Sequence, residues 1–145
     1  MDFFTAMEVS ATGLSAQRTR LNVASSNLAN VNTTRGPDGG PYRRRDVVLE
    51  THKMSENVSG GRAGGEPGKT FGVMVREIAN DEKPPRLEYD PGHPDANPDG
   101  YVAFPNVNAV EEMVDMITAS RAYEAGVTAL STAVSMAERA LGIGR

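Results

Sequence analysis

Apolar residues recur every seven positions through the beginning of the chain. The repeat is formed by Met7, Leu14, Leu21 and Leu28, and further apolar residues such as Val31 lie three or four positions away. An apolar stripe with this period lets a helix pack lengthwise against a second helix. The pattern therefore predicts a long amphipathic helix from about residue 3 to about residue 31, followed by a Gly-Pro turn.

The end of the chain carries a second repeat, on two heptad positions. One position holds Met113, Ser120, Val127, Val134 and Leu141, and the other holds Met116, Tyr123, Leu130 and Ala137. Asn106 or Asn108 is placed to cap a helix that begins here, and the acidic residues that follow suit the positive end of its dipole. The pattern predicts a second long amphipathic helix within residues 106–145.

Helix-breaking residues separate the two repeats. All 9 prolines and 11 of the 15 glycines lie within residues 36–105, so both ends are free to form long helices. Glycine is so frequent in Ser59–Gly68 that this segment predicts a flexible loop. Short runs of β-branched and aromatic residues predict four strands, at Arg45–Glu50, Phe71–Ile78, Arg86–Tyr89 and Tyr101–Phe104.

These elements predict a mainly α fold with a small β insert. The two long amphipathic terminal helices are expected to form an antiparallel coiled-coil hairpin, with a β-hairpin and loop region between them. The expected segments are an N-terminal helical segment at residues 1–35, a Gly- and Pro-rich β region at residues 36–105, and a C-terminal helical segment at residues 106–145. The two helical segments together are expected to form one assembly domain.

Two paired helices cannot bury both apolar stripes, because each stripe is wider than one partner helix covers. The uncovered part is predicted to contact other subunits, which is typical of an assembly protein. The predicted subunit-interface residues are Met7, Leu14, Leu21, Leu28, Val31, Val110, Met113, Met116, Ile117, Tyr123, Val127, Leu130, Val134 and Leu141.

Composition and charge limit the other classes of function. The formal net charge of −4 gives no general attraction to nucleic acid or to anionic membranes, so no nucleic-acid partner is expected. No stretch is long and apolar enough for direct membrane insertion. The chain has no cysteine for a disulfide or a thiolate metal site. Its first residues do not resemble a cleaved signal peptide, and these features alone predict a cytoplasmic protein.

Two polar motifs in the middle region have residue types that carry chemistry in other proteins. Asp95, Asn97 and Asp99 have the spacing of the first half of an EF-hand calcium loop, but Asn106 stands where the chelating glutamate belongs. His93 and Asp95 have the residue types of an acid–base pair, yet no nucleophile or cofactor fingerprint accompanies them. Such residues are more typical of turns. The sequence therefore predicts no enzyme activity, no metal site and no cofactor.

Both ends of the chain carry recognisable signatures. They lie in Ser15–Arg20 and Ala24–Thr33 at one end, and in Asn106–Asn108, Glu112–Ile117 and Ser120–Ala125 at the other. In this order they resemble the paired terminal signatures of the flagellar rod and hook protein family. The residues that carry the motif are Ser26, Asn27, Asn30, Asn32, Asn106, Asn108, Arg121 and Tyr123.

The middle of the chain is similar to the proximal rod members of that family. The similarity lies in Tyr42–Arg44, Val47–Glu50, Tyr89–Ala96 and Asp99–Ala103. The chain length also agrees with these members, since the distal rod and hook relatives carry much larger inserts. The sequence departs from the family pattern at Gly126, where the family usually has asparagine.

The resemblance implies a structural subunit of the bacterial flagellar proximal rod, which polymerises through its terminal helices into a tubular drive shaft. The implied partners are other copies of the chain, other proximal and distal rod proteins, membrane-ring and rod-base proteins, and the flagellar type III export apparatus. The implied location is the periplasmic rod of the basal body, reached by export without a cleaved signal peptide, which replaces the cytoplasmic prediction. The alternative is a cytoplasmic coiled-coil adaptor or chaperone of a flagellar or type III secretion system, which would have similar helices.

Overall fold

A computed structural model describes residues 3–54 and 70–143 of the chain. It contains two helices with a small β region between them, as the sequence predicted. In chain order the elements are α1 (Phe3–Ala29), β1 (Arg45–Lys53), β2 (Phe71–Asn80), β3 (Arg86–Tyr89), β4 (Tyr101–Phe104) and α2 (Ala109–Ile143). The loop predicted at Ser59–Gly68 lies outside the described residues.

The inner ends of both helices are closed by asparagine side chains. At the end of α1, Asn30 donates a hydrogen bond from Nδ2 to the carbonyl oxygen of Ser26, at 2.8 Å. At the start of α2, the Oδ1 atom of Asn108 accepts a hydrogen bond from the backbone N–H of Val110, at 3.0 Å. Asn108 thereby satisfies a backbone N–H that has no partner within the helix, and Asn30 adds a side-chain bond to a carbonyl that its own N–H also contacts. Asn108 is therefore the cap of α2, one of the two asparagines that the sequence proposed.

The β region consists of two separate two-stranded sheets, a division that the sequence did not predict. β1 pairs with β2 in antiparallel fashion, from Arg45 opposite Asn80 to Lys53 opposite Phe71, with a register shift between Val48 and Leu49. β3 pairs with β4, also antiparallel. Pro84 and Pro85 stand between β2 and β3, and proline cannot donate a ladder hydrogen bond, so the chain leaves the first sheet there.

The connection between β3 and β4 spans residues 90–100 and ends in a turn at residues 97–100 that leads directly into β4. The Oδ1 atom of Asn97 accepts hydrogen bonds from the backbone N–H groups of Asp99, at 3.1 Å, and Tyr101, at 2.8 Å. Gly100 has a φ of +82°, in the left-handed region that glycine tolerates best. A Cβ atom at this position would lie 2.9 Å from Cε2 of Tyr89, so the turn also needs glycine for space.

The two helices contact each other at three places. The order of these contacts along α1 is the reverse of their order along α2. Asn27 of α1 bonds to Glu112 of α2, at 3.0 Å. Further along, Arg20 lies 4.0 Å from Asp115. Near the middle of both helices, Leu14 packs against Gly126. The apolar side chains that the helices bury most completely are small, namely Ala16, Ala24 and Ala119.

Candidate assembly interface

The first two turns of α2 expose a continuous apolar patch. Val110, Met113, Val114 and Ile117 are 68%, 49%, 56% and 54% exposed. Their spacings of three and four residues place them on one face of a helix with 3.6 residues per turn. Four large exposed apolar side chains on one face are unusual in a protein that functions alone. We call these four residues the α2 patch.

The opposite face of α2 lies against α1. Glu112, Ala119 and Gly126 are spaced by seven residues on this face. Glu112 bonds to α1, Gly126 meets Leu14, and Ala119 between them is buried. These positions fall one residue before the predicted heptad position of Met113. Small residues let two helix backbones approach closely, so they form the contact although they add little to an apolar pattern.

The other predicted interface residues of α2 differ in how far they are covered. Met116, Leu130 and Val134 are half-buried. Tyr123 and Val127 are more than one third exposed, and Leu141, near the end of the helix, is largely exposed. Ser120 and Ala137 also lie half-buried along the helix. Some of the predicted interface residues of α2 are thus half-buried within the chain, and the others are exposed to solvent.

The predicted residues of the first helical segment are all half-buried. This group consists of Met7, Leu14, Leu21, Leu28 and Val31. Of these, Leu14 has a close neighbour on α2, because a Cβ atom at Gly126 would lie only 2.8 Å from its Cδ2 atom. Thr12, two residues earlier, accepts a hydrogen bond from the backbone N–H of Val73, at 3.2 Å. The first helix is therefore covered by α2 and by β2.

Asn27 is the centre of a buried polar cluster where α1, α2 and the segment before β1 meet. The Nδ2 atom of Asn27 donates to the carbonyl oxygen of Arg45, at 2.8 Å, and to Oε2 of Glu112, at 3.0 Å. Its Oδ1 atom accepts from the hydroxyl of Tyr42, at 2.9 Å, and from the N–H of Arg45, at 3.0 Å. Asn27 therefore uses both ends of its amide, as a buried amide must.

Glu112 carries the negative charge of this cluster. It is 1% exposed, and its Oε1 atom accepts a hydrogen bond from Nε of Arg44, at 2.6 Å. Partial burial by itself would lower the pKa of Arg44, but the hydrogen bond to Glu112 and nearby negative charges outweigh burial and raise this pKa above its ordinary value. The guanidinium is therefore held in its charged form, which is the form that compensates a buried carboxylate.

The structure divides the family-motif residues into three groups, which lie at the polar cluster, at the helix ends and on the exposed surface. Asn27 lies in the cluster, and Asn106 adjoins it by accepting a hydrogen bond from the N–H of Arg44, at 3.1 Å. Asn108 caps α2, and its carbonyl oxygen accepts from the N–H of Glu112, at 3.1 Å. Ser26 and Asn30 close the end of α1. The remaining residues, Asn32, Arg121 and Tyr123, lie on the exposed surface.

Sequence reasoning did not select Arg44, Glu112 or Tyr42 as site residues. In the sequence, Glu112 is one of the acidic residues that suit the start of a helix, and Arg44 belongs to a segment similar to the proximal rod members. Glu112 does share a heptad position with Ala119 and Gly126. A carboxylate on the inner face of a helix is a signal for a buried ion pair, and an arginine run nearby supplies the partner.

The polar motifs of the middle region make contacts within the chain. The carboxylate of Asp95 accepts a hydrogen bond from Thr34, at 2.8 Å, and lies 3.2 Å from Arg35. His93 accepts at Nδ1 from the N–H of Asp95, at 3.1 Å. Across residues 3–54 and 70–143, no group of three or more histidine, aspartate or glutamate side chains is placed to hold a metal ion. No helix within those ranges has the length and hydropathy needed to span a membrane.

Comparison with known proteins gives matches at both ends of the chain. Residues 7–37 match the family described as flagella basal body rod protein. Residues 99–143 match the family described as flagellar basal body rod FlgEFG protein C-terminal. The two matched segments contain most of α1 and all of α2. Of the polar cluster they include Asn27 and Glu112, whereas Tyr42, Arg44 and Arg45 lie between them.

Relatives of known name match over the full length. The flagellar basal-body rod protein FlgC of Borreliella burgdorferi is 46% identical, with 99% of this chain and 98% of the relative covered. FlgC of Bacillus subtilis is 42% identical and FlgC of Escherichia coli 41% identical, each with 100% of both chains covered.

The matches at both ends are those of the flagellar basal-body rod proteins, a class of structural proteins. The full-length relatives narrow this class, and the chain belongs to its FlgC family. It is a structural rod subunit of the bacterial flagellar basal body and not an enzyme. The alternative of a cytoplasmic adaptor or chaperone is not favoured by these relationships.

Proposed function

We propose that the chain polymerises within the proximal rod, through the α2 patch and the other apolar residues of its two helices. The observation that carries the proposal is the exposure of Val110, Met113, Val114 and Ile117 on one face of α2, opposite the face that contacts α1. Burying one such side chain contributes about 1.5–3 kcal/mol, so a few of them per contact would support a stable polymer.

The two helices are proposed to form an antiparallel coiled-coil hairpin. The three contacts of Asn27 with Glu112, Arg20 with Asp115 and Leu14 with Gly126 support this arrangement, because they follow opposite chain directions. In the proposed organisation, residues 1–35 and 106–145 form the assembly domain and residues 36–105 form the region around it. All fourteen predicted interface residues belong to the helical segments, and their role in subunit contacts is part of this proposal.

The proposed partners are further copies of the chain, the other proximal and distal rod proteins, and the proteins of the membrane ring and rod base. Contacts between unlike surfaces of successive subunits generate an open helical polymer when the rotation between subunits does not close a ring. The proposed location is the periplasmic part of the basal body. The proposed route is the flagellar type III export apparatus, without a cleaved signal peptide.

The natural absence of cysteine permits a direct test of the α2 patch. A Val114→Cys variant would be treated with a thiol reagent, both as free subunit and within purified basal bodies. We expect Val114→Cys to react in the free subunit and to be protected in basal bodies. The matched control is Asp99→Cys, in the exposed turn between β3 and β4, which should react in both. If Val114→Cys and Asp99→Cys react equally in basal bodies, the α2 patch is not a subunit contact.

A further inference from the structure

We call the end of the helix pair where α1 ends and α2 begins the closed end. The fully buried side chains of the helices at this end are polar or small, and none is a large apolar one. The largest fully buried side chains of the helices are Glu112 and Asn27, whereas the buried apolar residues there are alanines. Alanine contacts gain little free energy and are similar in many helix registers. The fully buried alanines at this end therefore do little to define one alignment of α1 and α2.

The polar groups at this end form all their hydrogen bonds only when α1, segment 42–45 and α2 come together. Glu112 accepts from Arg44 at one carboxylate oxygen and from Asn27 at the other. Asn27 accepts from Tyr42 and Arg45 at its amide oxygen. If segment 42–45 were removed from the cluster, Glu112 would keep one hydrogen bond and lose the compensating charge. A buried carboxylate without its partner cation is strongly destabilising.

We propose that the Asn27–Arg44–Glu112 cluster is a conditional latch: α1 and α2 pair stably at this end only when segment 42–45 docks onto them. Helix pairing and docking of the segment are then one cooperative step. A helix pair in another register would move Glu112 away from Arg44 and leave its charge buried and unpaired. The latch thereby selects one register, as single buried polar residues do in coiled coils.

This inference goes beyond the role of the chain in the rod. It rests on contacts within a single chain, so it holds whether or not the α2 patch is the surface that neighbouring subunits cover. Because the latch selects one register of α1 and α2, the subunit presents one defined outer surface to its neighbours in a helical polymer.

Hydrogen exchange of the full-length free subunit tests the latch. The variant is Arg44→Gln, and the matched control is Arg86→Gln, which removes an exposed arginine paired with Glu88 on β3. With Arg44→Gln, we expect exchange about tenfold faster or more, and by a similar factor, in segment 42–46, in the second half of α1 and in the first turns of α2. With Arg86→Gln these regions should be unchanged. Faster exchange confined to segment 42–46 would overturn the proposal.

A double variant keeps the test decisive if Arg44→Gln does not fold. Arg44→Met combined with Glu112→Met removes both charges and retains side chains of similar length. Replacing a buried ion pair by apolar residues is often neutral, whereas breaking it is not. We therefore expect the double variant to recover the helix protection that Arg44→Gln loses. If the double variant is as poorly protected as Arg44→Gln, the charge pair is not what makes helix pairing conditional, and the proposal fails.

Discussion

Leu14 of α1 occupies the space that a side chain at position 126 of α2 would need. A Cβ atom on Gly126 would lie 2.8 Å from Cδ2 and 3.5 Å from Cγ of Leu14. A glycine within a helix costs about 1 kcal/mol relative to alanine, so its presence there needs a reason. The close approach of Leu14 supplies that reason.

This relationship predicts coupling between the two positions. In the native chain, Gly126→Ala should stabilise by clearly less than the intrinsic 1 kcal/mol or so, because Leu14 must move. In a Leu14→Ala background, which is itself destabilised, Gly126→Ala should recover about the full amount. Urea unfolding of the four proteins gives the coupling energy. An equal effect of Gly126→Ala in both backgrounds would show that Leu14 does not limit this position.

The buried amide of Asn27 predicts a pH-dependent defect. Asn27→Asp would place a second carboxylate where Nδ2 now lies 3.0 Å from Glu112. The like charge raises the pKa of the introduced carboxyl, so its favourable protonated state is present at low pH and lost as pH rises. The unfolding free energy of Asn27→Asp should therefore fall further below that of the native chain between about pH 4 and pH 8.

Asn27→Ala is the control for this experiment, because it removes the same hydrogen bonds without adding a charge. Its deficit should be nearly constant over the same pH range, at about 2–4 kcal/mol for several lost hydrogen bonds in a buried site. Urea unfolding of the native chain, Asn27→Asp and Asn27→Ala at about pH 4 and about pH 8 gives the unfolding free energies to be compared. If the deficits of Asn27→Asp and Asn27→Ala change with pH in parallel, then the side chain at position 27 does not face Glu112 in solution.

The connection between β3 and β4 contains two glycines, and we predict that replacing each by alanine changes the stability of the second sheet by different amounts. Gly100 has a positive φ and a Cβ there would meet the ring of Tyr89, whereas a Cβ at Gly92 would make an ordinary contact at 3.5 Å. Gly100→Ala should therefore destabilise the second sheet by about 1–3 kcal/mol, and Gly92→Ala by much less. Hydrogen exchange of the β3 and β4 amides compares the two. Similar protection in both variants would mean that the turn adopts a different conformation.

The exposed α2 patch predicts that the helical content depends on assembly. In the structure, α1 has 27 residues and α2 has 35. Helices of this kind draw most of their stability from packing, and much of their apolar surface is open in the single chain. Circular dichroism of a dilute, strictly monomeric sample should therefore give a helical content well below these lengths, and the helix that remains should lie where the Asn27–Arg44–Glu112 cluster joins α1 to α2. Full helicity in such a monomer would show that the helices need no neighbouring subunit.

Much of the secondary structure could be predicted from local patterns. All four strands begin at the predicted residues, Arg45, Phe71, Arg86 and Tyr101, although β1 and β2 continue further than expected. This success has a physical cause, because prolines and glycines fix where strands can start and β-branched runs favour extended backbone. The pairing of the strands into two sheets was not predictable in this way, because it depends on how the proline-containing segment after β2 turns.

The polar cluster could not be predicted from the same patterns. Arg44 and Glu112 are 68 residues apart in the chain, and nothing local indicates that they meet. The contacting face of α2 was also hidden, since Ala119 and Gly126 contribute little to a hydrophobic pattern that favours Met113 and Val127. Large apolar residues indicate which faces need covering, but they do not distinguish contacts within the chain from contacts between subunits.

The measurement that tests the central claim most directly is electron microscopy of basal bodies from cells that lack this chain. The cells would be complemented with the native chain, with Ile117→Asp in the α2 patch, or with Thr118→Asp, which adds the same charge at the next, exposed residue. We expect rods with the native chain and with Thr118→Asp, and membrane rings without a rod in the uncomplemented cells and with Ile117→Asp. Normal rods with Ile117→Asp would contradict assembly through the α2 patch, and normal rods without the chain would contradict its role as a rod subunit.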